Sequence, residues 1–205
     1  MPELTSLNYK QYAPDSYYHI YNRGTNKMDI FLDEQDRDVF LSLLKRYLSS
    51  SVAKDSTYRA YKNYRKQIEL ITFALMPNHF HLLIYQKDDE RAITSFMKAV
   101  LISYSRYFNR RYQRVGPVFQ NRYLAKLITD TEYFKHLSRY IHLNPTNWQR
   151  AKDTSLDFYS RNRQADWIHP EKVLDLFPSF DSYLEFLKSY DPKHEEEIYD
   201  FELDS

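Results

Sequence analysis

The sequence predicts an α+β fold: a ferredoxin-like βαββαβ core with a central antiparallel sheet, then one more helix and a helical C-terminal extension. Two observations lead to this prediction. Short β-prone runs and amphipathic helical periods follow one another in the order strand, helix, strand, strand, helix, strand, helix. The character of the chain then changes, so we expect a core domain over residues 1–150 and an acidic, mostly helical extension over residues 151–205.

The first strand and the first helix are predicted from composition and spacing. Ser16–Arg23 is rich in aromatic residues and is followed by Gly24, which is typical of a strand that ends in a turn. In Asp33–Ser50, apolar side chains recur at intervals of three and four among charged ones. This spacing predicts an amphipathic helix.

Two apolar runs form the predicted centre of the sheet. Gln67–Leu75 and His79–Gln86 are separated only by Met76-Pro77-Asn78. Because proline cannot donate to a sheet ladder, this short connection predicts a tight turn between two strands. We therefore expect a hairpin whose second strand lies in the middle of the sheet.

A long helix and a fourth strand follow the hairpin. The helix has one apolar stripe, begins near the acidic residues Asp88–Glu90 and is stopped by Gly116-Pro117. The fourth strand is predicted around Tyr123–Ile128.

The remaining elements are helices. Asp130 is a suitable N-cap for a helix over Thr131–Leu143, and Asn144-Pro145 would end it. In the extension, Pro170–Leu176 and Phe180–Leu187 are predicted as short helices, and the acidic residues beyond them as a solvated tail.

Composition limits the possible functions. The 205 residues include no cysteine, which excludes a disulfide framework, a thiolate zinc site and a cysteine nucleophile. There is no signal peptide and no apolar run approaching the ~18 residues of a membrane span, so we expect a cytoplasmic protein with no membrane partner. No glycine-rich phosphate loop is present, so no nucleotide cofactor is expected.

The net charge of +1 hides a strong asymmetry along the chain. Residues 1–150 carry 23 Lys and Arg against 14 Asp and Glu, a net charge of +9, whereas residues 151–205 carry 6 against 14, a net charge of −8. A basic body of this kind suggests a polyanionic partner.

The basic charge is concentrated between Arg91 and Lys126, where no acidic residue occurs and tyrosines alternate with cations. Cations neutralise phosphates and aromatic rings stack on unpaired bases, so this pattern favours nucleic acid with single-stranded character. The alternative is a solvated helix face with extended arginines. We expect DNA contacts from Arg23, Arg106, Arg110, Arg111, Arg122 and Lys126.

His79 and His81 alternate with Phe80 in a predicted strand, so the two imidazoles should share one face of the sheet. Two imidazoles in an apolar strand are costly to bury without a partner. A metal ion, or a phosphate held through one, is the partner we favour. The alternative is a pair of histidines satisfied by backbone and water.

The last core helix is the candidate to face these histidines. Tyr140 and Asn144 are four residues apart and therefore lie on one face of that helix. An amide oxygen added to two imidazoles gives a mixed site with open positions, which suits Mg²⁺ or Mn²⁺. Tyr140 would then present its phenol to a bound phosphate. The alternatives are simple packing for Tyr140 and helix termination for Asn144.

Four motifs occur in order along the chain: Tyr18–Gly24 (YHIYNRG), Met76–Leu83 (MPNHFHLL), Gly116–Gln120 (GPVFQ) and Arg139–Pro145 (RYIHLNP). Together they closely resemble those of the HUH-class single-tyrosine transposases, especially the REP-associated tyrosine transposases. The resemblance covers roughly residues 16–150 and implies the HUH form of the ferredoxin-like sheet.

The resemblance also implies a role for each matching residue. His79 and His81 are similar to the metal ligands of this class, Asn144 to a third ligand, and Tyr140 to the nucleophile. The implied reaction is Mg²⁺- or Mn²⁺-dependent nicking and rejoining of single-stranded or hairpin DNA at transposon or repeat ends, through a 5′-phosphotyrosine. The protein would act as a monomer or a homodimer. Thr146–Arg150 departs from the Val-Arg-Ala-Gly often found there, so substrate contacts at this point can differ.

Two other functions stay open from the sequence alone. A domesticated, non-catalytic nucleic-acid-binding protein of the same fold would bind structured DNA or RNA without cutting it. A metal-dependent nuclease that uses water as its nucleophile would turn over without a covalent adduct. The intact His-x-His pair and Tyr140 favour the transposase.

Overall fold

The computed structural model describes residues 12–148, 152–160 and 163–190. A four-stranded antiparallel sheet has helices on both faces, which confirms the predicted α+β fold. The elements are β1 (Ser16–Arg23), α1 (Glu34–Leu48), β2 (Ile68–Met76), β3 (His79–Gln86), α2 (Ala92–Arg111), β4 (Leu124–Ile128), α3 (Thr131–Leu143), α4 (Leu156–Tyr159), α5 (Glu171–Leu174) and α6 (Phe180–Lys188).

The strands are arranged β2-β3-β1-β4, as in a ferredoxin-like sheet. β3 is central and pairs with both β1 and β2. The observed limits of β1, β3 and α3 are the predicted ones. α3 begins as expected, because the Asp130 carboxylate accepts a hydrogen bond from Tyr133 N at 2.7 Å.

The limits of α2 differ from the prediction at both ends. The acidic residues precede the helix, and its first turn contains none. Instead, the Asp89 carboxylate accepts from Arg91 N at 2.9 Å, and Gln86 Oε1 accepts from Ile93 N at 3.2 Å. The helix ends at Arg111, before the predicted stop, because Gln113 adopts a left-handed conformation with φ of 50°.

The turn between β2 and β3 is fixed by the loop that follows β1. Pro77 O accepts from Ile30 N and Phe31 N at 2.7 and 2.9 Å, and Asn78 O accepts from Gly24 N at 2.8 Å. A side chain at Gly24 would collide with the backbone carbonyl of Met28, so only glycine fits at this close approach. The loop therefore holds the start of β3 in place.

Each face of the sheet has its own helical layer. α1 and α2 cover one face, where Phe40 of α1 packs against Phe80 of β3 with ring centroids 5.1 Å apart. α3 and the C-terminal helices cover the other face, where Leu83 is fully buried.

The described part of the extension is built onto the edge of β2. Asp153 O accepts from Leu75 N at 2.8 Å, Ser155 N donates to Phe73 O at 3.0 Å, and His169 N donates to Leu70 O at 2.8 Å. α5 lies within the predicted helix Pro170–Leu176 and α6 extends one residue beyond the predicted Phe180–Leu187, whereas α4 was not predicted.

The acidic run at residues 195–197 lies outside the described residues. Among the described residues, no helix has both the length and the apolarity needed to cross a membrane.

Candidate active site

His79 and His81 lie on the face of β3 that α3 covers, with ring centroids 4.9 Å apart and ring planes at 85°. Phe80 between them points to the opposite face and packs into the core beneath α1. The alternation along β3 therefore separates a packing face from a polar face, as the sequence predicts.

Each of these two imidazoles is held by its Nδ1 atom. His79 Nδ1 lies 2.7 Å from Asn78 Oδ1, while the amide nitrogen of Asn78 donates to Lys27 O at 3.2 Å. His79 Nδ1 must therefore be the donor to the Asn78 oxygen, which leaves Nε2 without a proton in the neutral ring. His81 Nδ1 lies 3.0 Å from His19 Nε2 on β1.

Burial favours the neutral form of His19 and His81. Burial, with Lys126 as a smaller cause, lowers the pKa of His19 to about 3. Burial likewise lowers the pKa of His81 well below its usual value, helped by the neighbouring His19 and His79. Neutral imidazole is the form that binds a metal ion.

The donor set of the site fits a metal ion with open coordination positions. His81 Nε2 is buried and has no hydrogen-bond partner among the described residues. A bound cation would satisfy this nitrogen, which otherwise carries a desolvation penalty of about 1–3 kcal/mol. Within the described ranges no group of three or more His, Asp and Glu side chains is arranged to hold a metal, so two imidazoles need further ligands of another kind.

α3 brings Tyr140 to this pair. The Tyr140 ring meets the His81 ring edge-on, with centroids 5.6 Å apart and planes at 84°. Asn144, the residue that caps the C-terminal end of α3, follows one helical turn later on the same flank. The structure thus brings together the histidine pair and the tyrosine that the sequence singled out.

A cleft of about 180 Å³ opens beside the two histidines. The loop before β4 closes one side of it, because Gln120 N donates to Arg23 O at 2.8 Å and Asn22 donates to Asn121 O at 3.1 Å. The lining residues combine the imidazoles with two cations and several amides: Tyr21, Asn22, Arg23, His79, Phe80, His81, Gln120, Asn121, Arg122 and Leu124. Such a cleft suits an anion.

A family model for IS200-like transposases matches residues 13–144, well over half of the chain. The chain belongs to this family. Among curated proteins, none matches the sequence.

A solved structure supports the fold of this transposase, and two others show a weaker similarity. A REP-associated tyrosine transposase bound to a REP hairpin superimposes with a TM-score of 0.53 at 15% identity, over 79% of this chain and 91% of that one. A Deinococcus radiodurans protein described as a transposase gives 0.40 at 17% identity, over 65% and 94%. A tRNA(His) guanylyltransferase from Saccharomyces cerevisiae gives 0.43 at 10% identity, over 95% and 81%.

The cations predicted to contact DNA are distributed over several surfaces of the transposase. Arg23 and Arg122 line the cleft. Lys126 on β4 lies opposite His19 on the neighbouring strand β1. Arg106 lies in a second groove of about 410 Å³ that shares Asn121 with the cleft. Arg110 is exposed near the end of α2.

Arg111 is paired with acidic side chains near the start of α1. Its guanidinium pairs with Asp33 and with the fully buried Asp36, each at 2.6 Å, and bonds Tyr107 at 2.9 Å. The arginine therefore joins α2 to α1, and the sequence could not reveal this because both acidic partners precede the acid-free stretch.

His19 is the site residue that sequence reasoning missed. His19 belongs to the Tyr18–Gly24 motif, but its contact with His81 depends on the register between β1 and β3. Alternation along β1 puts His19, Tyr21 and Arg23 on one face, and this was the available signal.

The stability of the transposase should fall as the pH drops below about 6.5. Burial lowers the pKa of His19 and His142 to about 3, whereas histidines in an unfolded chain titrate near 6.5. The unfolded chain then binds more protons, so the free energy of unfolding decreases with falling pH by about 1.4 kcal/mol per unit for each such histidine. Urea titrations at about pH 7, 6 and 5 with a chelator measure this change, and a constant free energy over that range would contradict it.

Proposed function

We propose that this transposase nicks and rejoins single-stranded DNA at hairpin-bearing transposon or repeat ends, through a covalent bond to Tyr140. The observation that carries the proposal is the approach of the Tyr140 ring to within 5.6 Å of the His81 ring, beside a cleft that holds Arg23 and Arg122. A DNA hairpin as substrate is supported by the REP hairpin bound to the structurally similar transposase.

The proposed metal site consists of side chains that can bind a divalent cation. His79 and His81 would hold a divalent cation through Nε2, since a neighbouring residue contacts Nδ1 of each ring. Asn144 is proposed as the third ligand, from the same flank of α3 as the nucleophile. When bound, Mg²⁺ or Mn²⁺ supplies a Lewis acid that polarises the scissile phosphate.

The nucleophile performs the covalent step. The Tyr140 oxygen loses its proton and bonds to phosphorus, while the bond from phosphorus to the 3′ oxygen breaks and that oxygen takes up a proton. The products are a 5′-phosphotyrosine and a free 3′-OH. Attack by a 3′-OH on the phosphotyrosine rejoins a strand and returns the tyrosine. The phosphotyrosine preserves the energy of the phosphodiester bond, so no nucleotide is required.

The basic side chains of the cleft position the substrate. Arg23 and Arg122 border the histidine pair and would bind phosphates next to the scissile one. Arg106 extends this path into the neighbouring groove, where Phe119 also lies. Arg110 on α2 and Lys126 on β4 add further positive charge.

Replacing Tyr140 with Phe should abolish the covalent adduct, because only the attacking oxygen is lost. We expect a decrease of more than about 10³-fold in a denaturing-gel assay with Mn²⁺ and a labelled pool of DNA hairpins with randomised single-stranded flanks. Tyr133→Phe is the matched control, since it removes a hydroxyl two turns earlier on the same helix. An adduct that persists in Tyr140→Phe would assign the nucleophile elsewhere, and cleavage without any adduct would favour a water-based nuclease.

Replacing either strand histidine should remove divalent metal binding. His79→Ala and His81→Ala are expected to lose Mn²⁺ binding measured by calorimetry or electron paramagnetic resonance. His19→Ala should weaken it about 10- to 100-fold, because His81 loses the partner that orients it. His169→Ala alters a histidine paired with Glu171 outside the site and should bind Mn²⁺ normally. Undiminished binding in His81→Ala would refute the assignment.

Charge removal in the cleft and in the neighbouring groove should weaken DNA binding in a salt-dependent way. Arg122→Ala and Arg106→Ala are each expected to lower the slope of log affinity against log salt by about 1, as one phosphate contact is lost. Lys188→Ala on α6 removes an equal charge elsewhere and should leave the slope unchanged. Arg111→Ala should instead lower thermal stability, because it leaves Asp36 buried without its cation. Equal slopes in all four variants would contradict this surface.

A further inference from the structure

The helix that carries Tyr140, α3, is hydrogen-bonded to the C-terminal segment on the flank opposite that residue. At 3.6 residues per turn, His142 lies roughly 200° around the helix axis from Tyr140. Leu137 and Ile141 lie between them and face the sheet, fully buried. One flank of α3 therefore presents Tyr140 to the histidine pair, and the other flank presents His142 to the C-terminal segment.

His142 is connected to the backbone of β2 through Ser155. The Ser155 hydroxyl accepts from Phe73 N at 3.0 Å and lies 2.8 Å from His142 Nε2. Ser155 N also donates to Phe73 O at 3.0 Å, so this serine is fixed to the sheet at two points. The Ser155 hydroxyl proton has two acceptors in reach, His142 Nε2 at 2.8 Å and Phe73 O at 3.5 Å, and the shorter contact favours His142.

The other nitrogen of this ring continues the chain of hydrogen bonds. His142 Nδ1 lies 2.7 Å from the Tyr183 hydroxyl of α6, which lies 3.2 Å from Ser138 Oγ on α3. Ser138 in turn donates to Lys135 O at 2.7 Å. With the His142 proton on Nδ1, every donor in this series has an acceptor: His142 donates to Tyr183, Tyr183 to Ser138 and Ser138 to Lys135 O. We call the series Ser155, His142, Tyr183 and Ser138 the relay.

Arg139 provides a second connection between the same helix and α6. Its guanidinium donates to Phe186 O at 2.8 Å and lies 3.9 Å from the centroid of the Phe186 ring. The apolar contacts of α3 with the sheet do not depend on orientation, whereas these hydrogen bonds do.

We propose that the C-terminal segment (residues 152–160 and 163–190) positions the nucleophile, with Ser155, His142 and Tyr183 as positioning residues that set the rotation of α3. The inference rests on the proposed function only in taking Tyr140 as the nucleophile. A tyrosine oxygen lies roughly 8 Å from its helix axis, so a rotation of about 10° moves it by more than ~1 Å. A displacement of that size lowers the rate of a positioned reaction by about 10²-fold.

Tyr183→Phe tests this inference because it removes one hydroxyl of the relay and keeps the ring. The matched control is Tyr159→Phe, which removes another buried hydroxyl of the same core, bonded to Thr72 at 2.5 Å and Ile71 O at 3.1 Å but outside the relay. Two readouts are measured: the rate of adduct formation with the labelled hairpin pool relative to hairpin affinity, and the ¹⁹F resonance of a fluorinated tyrosine at position 140.

We expect Tyr183→Phe to slow adduct formation about 10- to 100-fold at unchanged hairpin affinity, and to shift or broaden the ¹⁹F resonance. Ser155→Ala should act in the same direction. Tyr159→Phe should keep the wild-type rate and resonance despite a comparable loss of thermal stability.

Equal behaviour of Tyr183→Phe and Tyr159→Phe in both readouts would overturn the inference. If the wild-type protein forms no adduct, the proposed function fails, and the ¹⁹F comparison alone then supports or overturns the positioning role.

Discussion

The register between β1 and β3 is the constraint on which the site depends. It pairs Tyr21 with His81 and Arg23 with His79. A slip of one residue would turn every side chain of one strand to the opposite face and separate the two histidine-bearing surfaces. The turn at Pro77 and Asn78 and the close approach of Gly24 hold this register, so a structural turn fixes the geometry of the polar face.

The two faces of the sheet have different tasks. The layer under α1 and α2 contains most of the aromatic core, together with the buried carboxylate of Asp36 and its arginine partner. Removing either member of such a buried pair is destabilising, so substitutions of this pair should lower the stability of the fold. The layer under α3 contains the histidines, the tyrosine and the polar relay, and its geometry depends on directional bonds.

Much of the fold followed from local patterns. The apolar runs Gln67–Leu75 and His79–Gln86 and the capping residue Asp130 predicted strands and a helix at nearly their observed limits, and alternation along the second run placed His79 and His81 on one face. These features depend on neighbours in sequence, so the sequence alone contains the information.

The remaining features depend on distant residues. His19 meets His81 across 62 positions, and Ser155 bonds Phe73 across 82. No local period encodes such contacts, and the same holds for Arg111, which pairs with Asp33 and Asp36 across 78 and 75 positions. The sequence predicts short helices in the extension but not their attachment to the core, because a bond between a histidine and a tyrosine 41 residues later has no local signal.

The C-terminal segment is attached to β2. The part of the chain that matches the family model is therefore shorter than the part that folds as one unit. The family match ends at residue 144, yet backbone groups of β2 are paired with residues beyond that point. A chain cut at the family boundary would leave an open sheet edge next to an uncovered apolar layer, which is a template for aggregation. Exchange of domains with other members of the family is therefore constrained to junctions outside the segment that closes this edge.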